Sequence, residues 1–188
     1  MSSTNSADSG SPDLANPYPI SRYPVPDLAD LPEDIREQIL AVQEKTGFIP
    51  NVFLALAHRP DEWRGFFAMH DALMLRKGNL SRAEKEMIVV AVSGANQCHY
   101  CVVAHGAILR IVAKNPLIAD QVAINYRKAD LQPRQRAMLD FAVKLTEKPH
   151  EIVEADRELL REHGFSNKAI WDIGAVAAFF NMSNRMAS

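Results

Sequence analysis

The chain has two cysteines, Cys98 and Cys101, set in the stretch "NQCHYCVVAHGA", with His105 four residues after the second. Residues of these types at this spacing suit three chemistries: a dithiol that cycles to a disulfide, half of a metal site, or a short structural staple. A staple here would enclose only a tiny loop, and a loop that small stabilises little through chain entropy. Zinc takes four ligands, usually Cys or His. Cys98, Cys101 and His105 supply three, with His99 or Glu86 available as a fourth, and the sequence holds no second cysteine pair.

The redox reading gains from helical geometry. A helix starting near Gln97 or Cys98 puts both sulfurs in its first turn, where the positive end of the helix favours a thiolate. Residues at i and i+3 are neighbours on one face, so the pair can close into a disulfide with modest adjustment. His105 lies one turn beyond Cys101 on the same face and can take its proton directly or through one water. Glu86 stands twelve residues before Cys98 in the apolar run "EMIVVAV", which should face the core. A carboxylate there is costly without a partner. A bond to His105 would supply one and orient the ring. The result is a relay from Glu86 to His105 to Cys101, with the logic of an acid–base–nucleophile triad. Taken singly, Glu86 reads as an ordinary helix residue and His105 as a satisfied or surface histidine; their joint spacing carries the assignment.

The elements that must hold these residues read as helices almost throughout. Residues 1–17 are rich in Ser, Asn, Asp, Gly and Pro and are expected to form a flexible arm, followed by one all-helical domain over 18–188. Asp30-Leu31-Pro32-Glu33 marks a helix start, with a stop at Thr46-Gly47. "PNVFLALAHRP" predicts a short helix. "PDEWRGFFAMHDALMLRKG" predicts a longer one ending at Lys77-Gly78, with Trp63, Phe66, Phe67, His70 and Leu73 near one face. That face reads as core with one hydrogen-bonded histidine, the alternative being the lining of a substrate entrance. Ser81 with Glu84 three residues on forms a capping box at the head of the helix that carries Glu86. Further helices follow over "YCVVAHGAILRIVAK", "DQVAINYR", "PRQRAMLDFAVKLTEK", "HEIVEADRELLREHG" and "NKAIWDIGAVAAFFNMSNRMA". Alternating strand patterns are absent, so the fold class is all-α. "LSRAEKEMIVVAV" from Leu80 aligns with "LQPRQRAMLDFAV" from Leu131, a helical pseudo-repeat offset by 51 residues. Ala137 replaces Glu86 in the second copy and no cysteines follow. The shared frame is scaffold, and the polar residues confined to the first copy are the candidates for chemistry.

Bulk composition excludes several partners. With 21 basic and 23 acidic residues the net charge is −2, which advertises neither nucleic acid nor an anionic membrane. No apolar run approaches the roughly 20 residues needed to span a bilayer. The N-terminus shows neither the basic nor the apolar region of a secretory leader, so a cytoplasmic location is expected. In that reducing compartment a close cysteine pair is more often catalytic or metal-binding than structural.

The pattern Glu86, Cys98-x-x-Cys101 and His105 resembles the alkylhydroperoxidase D-like thiol peroxidases of the carboxymuconolactone decarboxylase superfamily, in the branch called peroxidase-related. The resemblance runs from about Tyr18 to the C-terminal "NMSNRMA". It implies an all-helical fold, a homo-oligomer (trimer or hexamer), and no haem or flavin cofactor. It further implies that Cys101 attacks an organic hydroperoxide and becomes a sulfenic acid, that Cys98 resolves it to a disulfide, and that Glu86 and His105 relay protons. A thiol reductant or a peroxiredoxin partner would complete the cycle. Family members often carry a second histidine just before the second cysteine; Tyr100 stands there in this chain, with His99 one place earlier. Decarboxylase members lack the CxxC pair, so the resemblance points away from that activity. The alternative from a different class is a non-catalytic oligomer that uses the same cysteines for redox sensing or metal binding.

Overall fold

The computed structural model describes residues 19–188, so the arm expected over 1–17 lies outside the described residues. Nine α-helices and three short 3-10 turns make up the described chain, with no strand among them, as an all-α class requires. No helix among the described residues is long and apolar enough to cross a membrane. The chain divides into two compact units, one up to Gly65 and one from Phe66.

The first unit holds α1 (Glu33–Thr46), α2 (Asn51–Ala55) and the first residues of α3 (Pro60–Met74). Pro32 sits at the N-cap of α1, with Glu33 and Asp34 in the first turn, where acids complement the helix dipole. Gly47 ends the helix at φ 82°, a left-handed conformation that favours glycine. Arg64 clamps Asp34 with two hydrogen bonds of 2.7 and 2.8 Å and holds its carboxyl below the usual carboxylate range.

The second unit is built around α4 (Arg82–Ala95), which packs against α5 (His99–Ala113), α6 (Ile118–Asn125), α7 (Pro133–Glu147) and α9 (Asn167–Met186). Nine successive residues of α4, Lys85 to Ser93, are buried. A helix buried on all sides belongs inside a bundle, not on its surface. The capping box is present as expected, with Glu84 N–H donating to Ser81 Oγ at 3.2 Å and Ser81 N–H to Glu84 Oε2 at 2.8 Å. The pseudo-repeat is visible too: α7 begins at Pro133, the same 51 residues after Arg82, and packs on α4. The remaining helix, α8 (Glu154–Glu162), is followed two residues on by Gly164 at φ 81°.

The end of α3 differs from expectation. It stops at Met74, not at Lys77-Gly78, because side chains of α4 satisfy its terminal carbonyls. Lys85 Nζ donates to Leu73 O and Arg76 O, each at 2.7 Å, and Arg82 Nη1 donates to Met74 O at 2.7 Å. With its last carbonyls met by cations, the helix needs no glycine cap.

Gly94 fixes how closely α6 approaches α4. A Cβ built there would lie 2.5 Å from Ala123 O, a backbone atom that cannot swing aside. Gly94→Ala therefore has to push the two helices apart. It should lower stability by about 1–3 kcal/mol, read as a fall in the urea midpoint.

Candidate active site

The short turn between α4 and α5 delivers the cysteines. Gln97 adopts φ 55°, the left-handed region, and reverses the chain so that Cys98 becomes the N-cap of α5. Cys98 N–H donates to Ser93 O at 2.9 Å, tying the new helix to the end of the old one. Both cysteines are free and buried, Cys98 at 2% and Cys101 at 3% exposure.

The predicted relay partners meet. Glu86, on the buried run of α4, is fully enclosed, and its Oε2 lies 2.8 Å from His105 Nδ1 on α5. With Nδ1–H donating to the carboxylate, the neutral ring presents Nε2 as its proton acceptor. The ring stands edge-on to Phe180 of α9, 4.8 Å between centroids, which holds its plane. Arg82, one turn before Glu86, places Nη2 2.8 Å from Oε1. The two charges pair, but the contact lies off the axis of a hydrogen bond, and Oε1 has no hydrogen-bond donor. Sequence reasoning missed Arg82, although its i, i+4 spacing to Glu86 was there to be read.

The groups that act on the Cys101 thiol are Cys98 beside it and Asn184 and Ser183 of α9. His105 bonds Glu86 through Nδ1, and no hydrogen bond among the described residues joins it to Cys101, so the last link of the relay is not a direct bond. Ser183 and Asn184 belong to the stretch "AAFFNMSNRMA", whose pattern suggests packing on a neighbouring subunit. Both residues are buried within the chain, at 7% and 1% exposure. Only the fold brings them to the cysteines. His99 is exposed and Tyr100 half-buried.

The helix-dipole expectation for the thiol is corrected. Burial, followed by the hydrogen bond and charge of Cys98, pushes the Cys101 pKa up to about 12, while Asn184 and Ser183 act in the opposite direction. The first turn of a helix favours a thiolate by only about a kcal/mol or so. Removing the sulfur from water costs the anion more. A raised folded-state pKa favours the neutral thiol, so its stabilising contribution is whole below the unfolded value near pH 9 and is lost as pH rises toward 12. The urea midpoint of the reduced protein should therefore fall more steeply above about pH 9 than that of Cys101→Ser. Equal slopes would mean that the buried sulfur does not resist ionisation.

His70, expected on a core face with a hydrogen-bond partner, has one in Asp71. Its Nδ1 lies 2.9 Å from Asp71 Oδ1, and burial holds its pKa below the usual histidine range. It meets Phe67 and Phe179 edge to face or tilted, each at 6.3 Å, and Phe179 continues the cluster to Phe180 and so to His105. As for metal, no group of three or more His, Cys, Asp or Glu side chains among the described residues is arranged to hold an ion.

Residues 60–123, which run from the start of α3 through the cysteines into α6, match the carboxymuconolactone decarboxylase family. The chain is 69% identical to an uncharacterized peroxidase-related protein from Ralstonia eutropha JMP134, described as an alkylhydroperoxidase AhpD core, with a TM-score of 0.89 and 90% of each chain covered. An uncharacterized peroxidase-related protein from Silicibacter sp. TM1040 is 46% identical, with a TM-score of 0.86, covering 93% of this chain and 91% of that one. The debrominase Bmp8, crystallised as a cysteine-to-alanine variant in complex with 2,3,4-tribromopyrrole, shares the fold at 22% identity and a TM-score of 0.71, over 86% of this chain and 85% of that one. No curated protein matches the sequence. On these similarities the chain belongs to the AhpD-like proteins of the carboxymuconolactone decarboxylase superfamily, in the peroxidase-related branch.

Proposed function

We propose that the protein is a thiol-dependent peroxidase that reduces organic hydroperoxides with Cys98 and Cys101. The observation that carries the reading is the fully buried Glu86 bonded at 2.8 Å to His105, one turn from a buried cysteine pair. A carboxylate hidden in a core and aimed at a histidine has a structural cost and a catalytic use. Because burial keeps Cys101 a thiol, an unassisted thiolate is scarce near neutral pH, and a base has to create one as it reacts.

In the first step His105 Nε2 takes the Cys101 proton through a bridging water or the peroxide itself, and Glu86 stabilises the imidazolium. The thiolate attacks the outer peroxide oxygen, the S–O bond forms, the O–O bond breaks, and the alkoxide leaves as alcohol with the proton held by His105. Sulfur is oxidised by two electrons and the peroxide reduced by two. Cys98 then attacks the sulfenic sulfur, releasing water and closing the disulfide. An external dithiol or a peroxiredoxin partner would return the pair to thiols. A reducing, cytoplasmic setting and a homo-oligomeric assembly belong to the same proposal.

The test is steady-state consumption of cumene hydroperoxide with a dithiol reductant. Turnover that disappears in Cys101→Ser supports the reading. Tight zinc on the purified protein with no turnover would favour metal binding by these cysteines, and a reversible disulfide without turnover under any reductant would favour a redox sensor.

A further inference from the structure

The loop between α3 and α4 and the first turns of α4 line a cavity of about 310 Å³. Four of its lining side chains are cations, Arg76, Lys77, Arg82 and Lys85, and none is an acid. Asp172 of α9 anchors the loop, accepting from Arg76 Nη2 at 2.8 Å and from Asn79 Nδ2 at 3.2 Å. The other nearby carboxylates are engaged as well. Glu84 turns back onto Ser81 and toward Arg134, and Glu86 lies between His105 and Arg82. Lys77 and Lys85 thus have no carboxylate within ion-pairing distance among the described residues. Lys85 is only 3% exposed. Two of its three ammonium donors go to Leu73 O and Arg76 O, each at 2.7 Å, and the third has no acceptor among the described residues. A buried ammonium whose partners are carbonyls alone carries a desolvation cost that a counter-ion would offset.

We propose that this cavity binds a small organic anion, with its carboxylate or phosphate head against Lys85 and Lys77 and its apolar part along Met74, Leu75 and Leu80. The volume falls at the lower end of the range for small-molecule sites, which begins near about 300 Å³. The lining divides in the way such a ligand needs, three apolar side chains beside four cations. Hydrogen bonds from an ammonium to an oxyanion are charge-assisted and about twice as strong as neutral ones. The start of α4 adds to the field. Ser81 and Arg82 line the cavity, and the N–H groups of a helix's first turn carry partial positive charge. Arg82 borders both the cavity and Glu86 Oε1, so the site shares one guanidinium with the Glu86–His105 pair. Binding requires no cysteine chemistry, and the proposal stands apart from the peroxidase reading.

The experiment is calorimetric titration of the full chain with inorganic phosphate and, separately, with hexanoate, at an ionic strength held constant with chloride. At least one probe should saturate at one per chain, and the tighter of the two identifies the head group. Lys85→Met should abolish that binding. Lys77→Glu reverses the charge of an exposed side chain and should weaken binding about tenfold, a loss of about 1.4 kcal/mol. It decides the matter if Lys85→Met, which also strips the donor from the end of α3, does not fold. Heats no different from chloride for both probes, or saturable binding that Lys77→Glu leaves unchanged, would overturn the proposal.

Discussion

Glu86→Gln slows oxidation of Cys101 by cumene hydroperoxide about a hundredfold or more near neutral pH, and His105→Asn slows it at least as much. Glutamine keeps the shape of the glutamate and can still accept from His105 Nδ1–H across the 2.8 Å contact. What it loses is the negative charge that stabilises the imidazolium formed as Cys101 gives up its proton. His105→Asn removes the base itself. Burial has pushed the Cys101 thiol up to about 12, so the reaction near neutral pH depends on assisted proton removal rather than on a standing thiolate. Stopped-flow loss of thiol measures the rate, and an unchanged far-UV spectrum shows that the fold is retained. Two variants reacting as fast as wild type would remove the relay from the account.

Glu86→Leu separates stability from reactivity. The side chain is fully buried in the unbroken run Lys85 to Ser93, and a carboxylate there carries a desolvation cost that an apolar group of similar volume does not. Arg82 is not left as a buried charge by the change, although His105 Nδ1–H loses its acceptor. Arg82 is 33% exposed and keeps its bond to Met74 O. The urea midpoint should therefore hold or rise while reaction with hydroperoxide is lost. Arg82→Met is the opposite case. It leaves the carboxylate buried with His105 as its one remaining partner, and it should cost about 2–3 kcal/mol, below the range for fully buried pairs because Arg82 is partly in water. If Glu86→Leu destabilises as much as Arg82→Met, Glu86 is held for structure and its catalytic role falls.

The helical frame was legible because its signals are local. Ser81 with Glu84, Gly47, Gly164 and the offset between Leu80 and Leu131 each sit within a few residues of what they specify. Glu86, His105 and the cysteines were legible for a related reason: they lie on two helices joined by a three-residue turn, so spacing alone nearly fixes their faces. What the sequence concealed depends on contacts between distant segments. The early end of α3 follows from Lys85 and Arg82 reaching back to its carbonyls, and no pattern within "MLRKG" records that. Asn184 and Ser183 come to Cys101 from the last helix, far along the chain from the cysteines. The direction of the Cys101 shift escapes the sequence because the helix end is visible there, whereas the depth of burial that outweighs it is not.

The central claim, that Cys101 attacks peroxide and Cys98 resolves the product, is tested most directly by thiol titration and intact mass before and after one equivalent of cumene hydroperoxide, on wild type and on Cys98→Ser. The account predicts loss of both thiols in wild type with the mass change of a disulfide, and a single added oxygen on Cys101 in the variant. Thiols that remain titratable, or oxidation that falls on Cys98 while Cys101 stays reduced, would contradict it.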